Sequence, residues 1–131
     1  MIAAVGTVDG VVLVDVESGE PLGPGTELPD AEVPHVDLPR VVTAARAGAT
    51  IVCIVERRPP LAISRDGGST WTEAGGGLPP GFAIAIAEDD PDRMLYAARN
   101  RLYLSTNGGV FWQSLPFELP DIEGVAWLDE N

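Results

Sequence analysis

A chain of 131 residues that is 45% apolar, with 15 glycines and 12 prolines, has the size and make-up of one domain of short strands and many turns, so residues 1–131 are taken together. Twenty acidic side chains oppose eight arginines and no lysine, a net charge of −12 that argues against nucleic acid or an anionic membrane as a general partner, because both repel it. The missing lysine also excludes a Walker-type phosphate loop, and a single histidine with a single cysteine excludes a structural zinc site built within the chain.

In chain order, Ile2–Val5 and Val11–Val14 are apolar runs of strand length around the turn 6–10, and Asp15–Glu20 is a hairpin. A Pro- and Asp-rich connection follows, in which His35 is expected as an exposed loop histidine. Val41–Arg46, Val52–Val55 and Leu61–Ile63 are the next strands; Cys53 stands alone in an apolar run and is expected as a buried small hydrophobe. Gly75–Gly81 is a glycine- and proline-rich connection without Rossmann spacing. Phe82–Ala87, Arg93–Tyr96 and Leu102–Leu104 then repeat the strand pattern, and Gly124–Leu128 is one more apolar strand. No apolar run reaches membrane-spanning length, and the first basic side chain is Arg40, so neither a span nor a signal peptide is expected and the cytoplasm is the expected location.

The organising feature is a recurrence. Ser64-Arg-Asp-Gly-Gly-Ser-Thr-Trp71 returns 41 residues later as Ser105-Thr-Asn-Gly-Gly-Val-Phe-Trp112. A period of this size marks a repeat fold whose units bury their apolar faces on one another. The glycines supply positive φ in a hairpin, Asp or Asn folds its side chain onto the turn's N–H groups, and the tryptophan is a plate that clamps the hairpin. The first copy resembles the Asp-box, or BNR repeat, of sialidases, sortilin-type receptors and photosystem assembly factors; the second is a degenerate copy. The resemblance implies an all-β propeller in which Ser64, Asp66, Gly68, Thr70, Trp71, Ser105, Asn107, Gly109 and Trp112 are structural and lie at the blade periphery. The lysine-free acidic composition, in turn, is similar to that of proteins from salt-adapted organisms.

Counted without gaps at the 41-residue step, each unit has four strands, A to D from inside outward, with small residues (Ala44, Ala45, Ala83, Ala85, Ala126) on the A strands. The N-terminal unit lacks strand A, and 124–128 is a strand A with nothing after it. The expectation is therefore three four-stranded blades, one split between the termini. Propellers typically have about four to eight blades, so three do not close a ring. The expected solution is a homodimer in which 124–128 of one chain adds to the N-terminal blade of another, completing a six-bladed ring, with a trimeric ring or a fragment of a larger propeller as alternatives.

For function, Arg57 and Arg58 lie in the B–C loop of one blade and Arg99 and Arg101 in the matching loop of the next. Such loops face ligands in propellers, and arginine forks carboxylates and phosphates. The competing account is that these arginines neutralise acids such as Glu56, Glu118 and Asp121. Glu88-Asp89-Asp90-Pro-Asp92 gathers four carboxylates, but without the order of a calcium loop it is expected to be a solvated turn. No catalytic set, metal or cofactor is expected, and the favoured function is a non-catalytic scaffold or binding module for an acidic or anionic partner. The alternatives are a sialidase-like hydrolase and a lectin. The first implies an arginine triad, a Tyr–Glu pair and an acid/base Asp that no pattern here fixes onto residues. The second would use Trp127, Phe117 or Phe82, which fit blade-packing positions better.

Overall fold

The computed structural model describes residues 1–29 and 33–128, and every regular element among them is a β-strand. The strands are β1 (Ile2–Thr7), β2 (Gly10–Asp15), β3 (Glu20–Pro24), β4 (Val41–Ala47), β5 (Thr50–Val55), β6 (Leu61–Ser64), β7 (Thr72–Ala74), β8 (Ala83–Ile86), β9 (Met94–Ala97), β10 (Leu102–Ser105), β11 (Gln113–Ser114) and β12 (Ile122–Trp127). They form three four-stranded antiparallel sheets, ordered β12-β1-β2-β3, β4-β5-β6-β7 and β8-β9-β10-β11. Among the described residues no helix is long and apolar enough to cross a membrane.

The split blade is present within the single chain: β12 pairs with β1, with Ala4 opposite Ala126 and Val5 opposite Val125. A strand tethered to the same molecule reaches this seat without the association entropy that a second chain would lose.

The repeat is also less uniform than a gapless count allows. Ala44 pairs with Cys53 as Ile84 pairs with Tyr96, while Cys53 pairs with Ala62 as Tyr96 pairs with Tyr103. Strand A therefore steps by 40 residues and strand B by 43, and only strand C and the box keep 41. The turn between strands A and B is longer in the third blade, and the loop between B and C is shorter.

This corrected register explains the packing. The inner strand β8 lies between β4 and β12, which do not meet, so the blades form an open arc. On one side of β8, Ala83, Ala85, Leu95 and Leu102 pack on Ala3, Val5, Val14 and Val125. On the other, Ile84, Tyr96, Tyr103 and Trp112 pack on Val52, Ile54, Leu61 and Ile63. At the free flank of the second blade the counterparts of Ile84, Tyr96 and Tyr103 are Ala44, Cys53 and Ala62, and the room left by these small side chains is taken by Val36 and Leu38. The free flank of the first blade is shaped in the same way. Gly6 and Gly124 face Leu28, and a Cβ at Gly124 would stand 2.7 Å from Leu28 Cδ2. One connection, leaving β3 and entering β4, thus covers both open flanks and hides apolar surface that would otherwise face water.

Candidate functional site

The two boxes fold as their sequences dictate. Ser64 Oγ accepts from the Gly68 N–H at 2.8 Å and donates to Asp66 Oδ1, which also accepts from the Thr70 N–H at 2.9 Å. The Thr70 hydroxyl donates to Asp66 Oδ2 at 2.6 Å, and Trp71 Nε1 donates to the Gly68 carbonyl. These donors, Thr70 foremost, hold the Asp66 carboxyl down at about 2. The second box repeats the network, with Ser105, Asn107, Gly109 and Trp112 in the same roles and the Phe111 N–H bonded to Asn107 Oδ1. The Thr70 hydroxyl contact and the long Asp66 N–H to Ser64 Oγ bond have no counterpart there. The Ser, Asp or Asn and Trp side chains of each box are thus engaged in their own hairpin. The Trp112 plate lies between the second and third blades, and Trp71 packs on the flank covered by the connection.

The four arginines of the B–C loops separate into two pairs. Arg99 Nε donates to Asp121 Oδ1 at 3.3 Å, and Arg101 Nη2 donates to Glu118 Oε1 at 2.9 Å. These two neutralise the acids of the adjoining connection. Arg57 and Arg58 are exposed and, among the described residues, have no acidic partner. With Glu56 they border a cleft of about 1260 Å³ between the second and third blades; Val42 adjoins them on β4, and the other wall is the connection Gly76–Phe82 with Tyr103. That wall is pinned from behind: buried Tyr96 donates its hydroxyl to the Pro79 carbonyl at 2.6 Å, and burial pushes this phenol up to about 12.

Phe82 was placed by its sequence in a blade-packing position. Its backbone N–H is indeed bonded to the Ala97 carbonyl, but its side chain is 56% exposed and lies on the cleft. The other two aromatics considered for sugar stacking, Phe117 and Trp127, are half-buried against the core between the first and third blades. The signal that could have marked Phe82 is its place in the repeat. It directly precedes β8, and at the 40-residue step of strand A its counterpart in the second blade is Val42.

A second, larger cleft of about 1590 Å³ runs along the inner strands β4, β8 and β12 and is closed on its fourth side by residues of the connection, His35 among them. It is lined by Ala44, Ala45, Ala83, Ala85, Val125 and Ala126 together with the acids Glu88, Asp89 and Glu123. Glu123 lies level with Ala83, since Ile122 and Phe82 both bond the loop that begins at Ala97. Glu88 and Asp89 lie five residues further along, so roughly 16 Å separates the two groups along the strand direction. The acidic turn that holds them is solvated: Asp92 pairs with Arg65, Asp90 with Arg93, and among the described residues no group of metal-ligating side chains forms. Cys53 is fully buried and free, and burial pushes its thiol upward.

No family model and no curated protein matches the chain. Among solved structures it is similar to the crystal structure of the Niastella koreensis GH74 enzyme, a β-propeller protein, at 21% identity and a TM-score of 0.50. The likeness is one of fold. The superposition covers 90% of this chain and 18% of that enzyme, so the chain spans less than a fifth of its neighbour's length. The propeller-like architecture expected from the boxes is thereby supported, while the box family itself is matched by no model.

Proposed function

We propose that this chain is a non-catalytic binding module that holds an anionic partner in the cleft between its second and third blades. The observation that carries the reading is the unequal fate of the arginines. Arg65, Arg93, Arg99 and Arg101 each face an acid, whereas among the described residues Arg57 and Arg58, like Arg40 and Arg46, form no ion pair; of these four only Arg57 and Arg58 stand together, on the cleft lip beside Glu56. In a chain of net charge −12, two adjacent cations against the one carboxylate of Glu56 leave a local excess of positive charge, and such an excess selects anions.

The inner cleft supports a hydrolase less well. Two-carboxylate glycoside hydrolysis works with carboxyl groups about 5 to 9.5 Å apart, whereas in this cleft Glu123 stands roughly 16 Å along the strand direction from Glu88 and Asp89. We further propose that the arc works as a single chain. Supporting this, Leu28 lies on one flank and Val36 and Leu38 on the other, over surface that a second copy's blades would need in a six-bladed ring.

Titration with inorganic phosphate and with citrate at low ionic strength, followed by the arginine Nε–Hε NMR signals, tests the reading. Shifts confined to Arg57 and Arg58, and lost in Arg57→Ala/Arg58→Ala, are expected. Equal shifts at all eight arginines, or none, would overturn it.

A further inference from the structure

Resting on that anion-binding reading, the cleft's other wall narrows the partner further: we infer that it takes an extended peptide segment carrying an acidic side chain next to a large apolar one. The cleft has two chemical halves. Arg57 and Arg58 offer planar, exposed donors on one lip. Opposite them lie Phe82, 56% exposed, and the rings of Pro79 and Pro80, while Val42, 43% exposed, adds apolar surface on their own side. A simple anion would satisfy the arginines and leave this apolar wall in water. An apolar ligand would leave the arginines unused.

The dimensions favour a chain segment over a small molecule. At about 1260 Å³ the cleft exceeds the roughly 300 to 1000 Å³ usual for small-ligand pockets. Its glycine wall also offers a peptide backbone something to bind. Gly76 and Gly77 are exposed, a Cβ at either would meet nothing within 4 Å, and among the described residues their N–H groups make no hydrogen bond. The wall is positioned before any ligand arrives, because the Tyr96 hydroxyl holds the Pro79 carbonyl and the Ala97 carbonyl holds the Phe82 N–H. A preorganised wall loses little entropy on binding. The overall negative charge requires that the acids of the partner be few and local, since a long acidic tract would be repelled everywhere except at this lip.

The test is calorimetric titration of the full chain with short peptides, blocked at both ends, that share Gly-Ser flanks around a central Asp-Phe, Asp-Ala or Asn-Phe, with 3-phenylpropionate as the small-molecule arm. Burying one phenyl ring is worth about tenfold or more in affinity, so Asp-Phe should bind at least about tenfold more tightly than either singly changed peptide. Phe82→Ser should remove the gain from Phe and leave the Asp-Ala peptide unaffected. Arg57→Ala/Arg58→Ala should remove the gain from Asp. All three side chains are exposed, so neither variant threatens the fold. Equal binding of Asp-Phe and Asp-Ala, both lost with the arginines, would overturn the amphipathic peptide and keep the anion site. Binding indifferent to the arginines would overturn both. Binding of 3-phenylpropionate as tight as that of the Asp-Phe peptide would overturn the peptide in favour of a small acid.

Discussion

Arg65, inside the first box, donates from Nη2 to the carbonyl oxygen of Gly108 in the second box at 3.0 Å, so the two copies of the motif are in direct contact across the blade boundary. The same guanidinium lies 3.5 Å from Asp92, at the turn before β9. The recurrence is therefore more than punctuation of separate hairpins: one box latches the next.

The latch predicts unequal costs at its two ends. Arg65 and Asp92 are more than half exposed, so Arg65→Ala should cost less than about 1 kcal/mol in urea unfolding. Gly108 has φ 73°, and a Cβ there would meet Arg65 Nη2, so Gly108→Ala should cost more, about 1 to 3 kcal/mol. In the double variant the steric part should disappear and the backbone part remain. Strict additivity would show that the two residues do not interact.

Asp66 gives a pH signature. Its carboxyl is lowered from an ordinary 3.8 to about 2, so its charged form is favoured by folding. The stability this contributes is complete above the unfolded value near 4 and is lost as pH falls through about 2. Asp66→Asn keeps an acceptor oxygen, as Asn107 does in the second box, but cannot titrate. The stability difference between wild type and Asp66→Asn, followed by thermal unfolding, should shrink between pH 4 and pH 2. A gap that stays constant across that window would contradict the assignment.

Tyr96 connects the core to the cleft. In Tyr96→Phe the Pro79 carbonyl loses its partner, at an expected cost of about 1 to 2 kcal/mol in denaturant unfolding. Weaker phosphate or peptide binding should accompany it, because the cleft wall loosens. Unchanged binding in a destabilised variant would show that the wall is held by other contacts.

The connection over the flanks predicts a mass and a failure. Light scattering of the unaltered chain should give 13.8 kDa, and twice that value would restore the two-chain ring. Leu28→Asp or Leu38→Asp places a charge against the glycine or alanine flank and should cause aggregation or partial unfolding, read by light scattering and hydrogen exchange. Variants that remain stable monomers would show that the flanks need no cover.

The sequence by itself determined the strands, the split blade and both boxes. Ser64, Asp66, Gly68 and Thr70 recognise one another over two to four residues, and turn chemistry of that range is written locally. The tertiary structure decided what depends on distant residues meeting. Compensating changes in loop length, invisible to a gapless count, set which face Tyr96 and Tyr103 take. Small side chains at Gly6, Gly124, Ala44 and Ala62 acquire meaning only as the seats of Leu28, Val36 and Leu38. The matched arginines likewise become two different pairs only in three dimensions. Asp121 and Glu118 reach Arg99 and Arg101, whereas among the described residues Arg57 and Arg58 form no ion pair and share their cleft with Glu56 and an exposed Phe82.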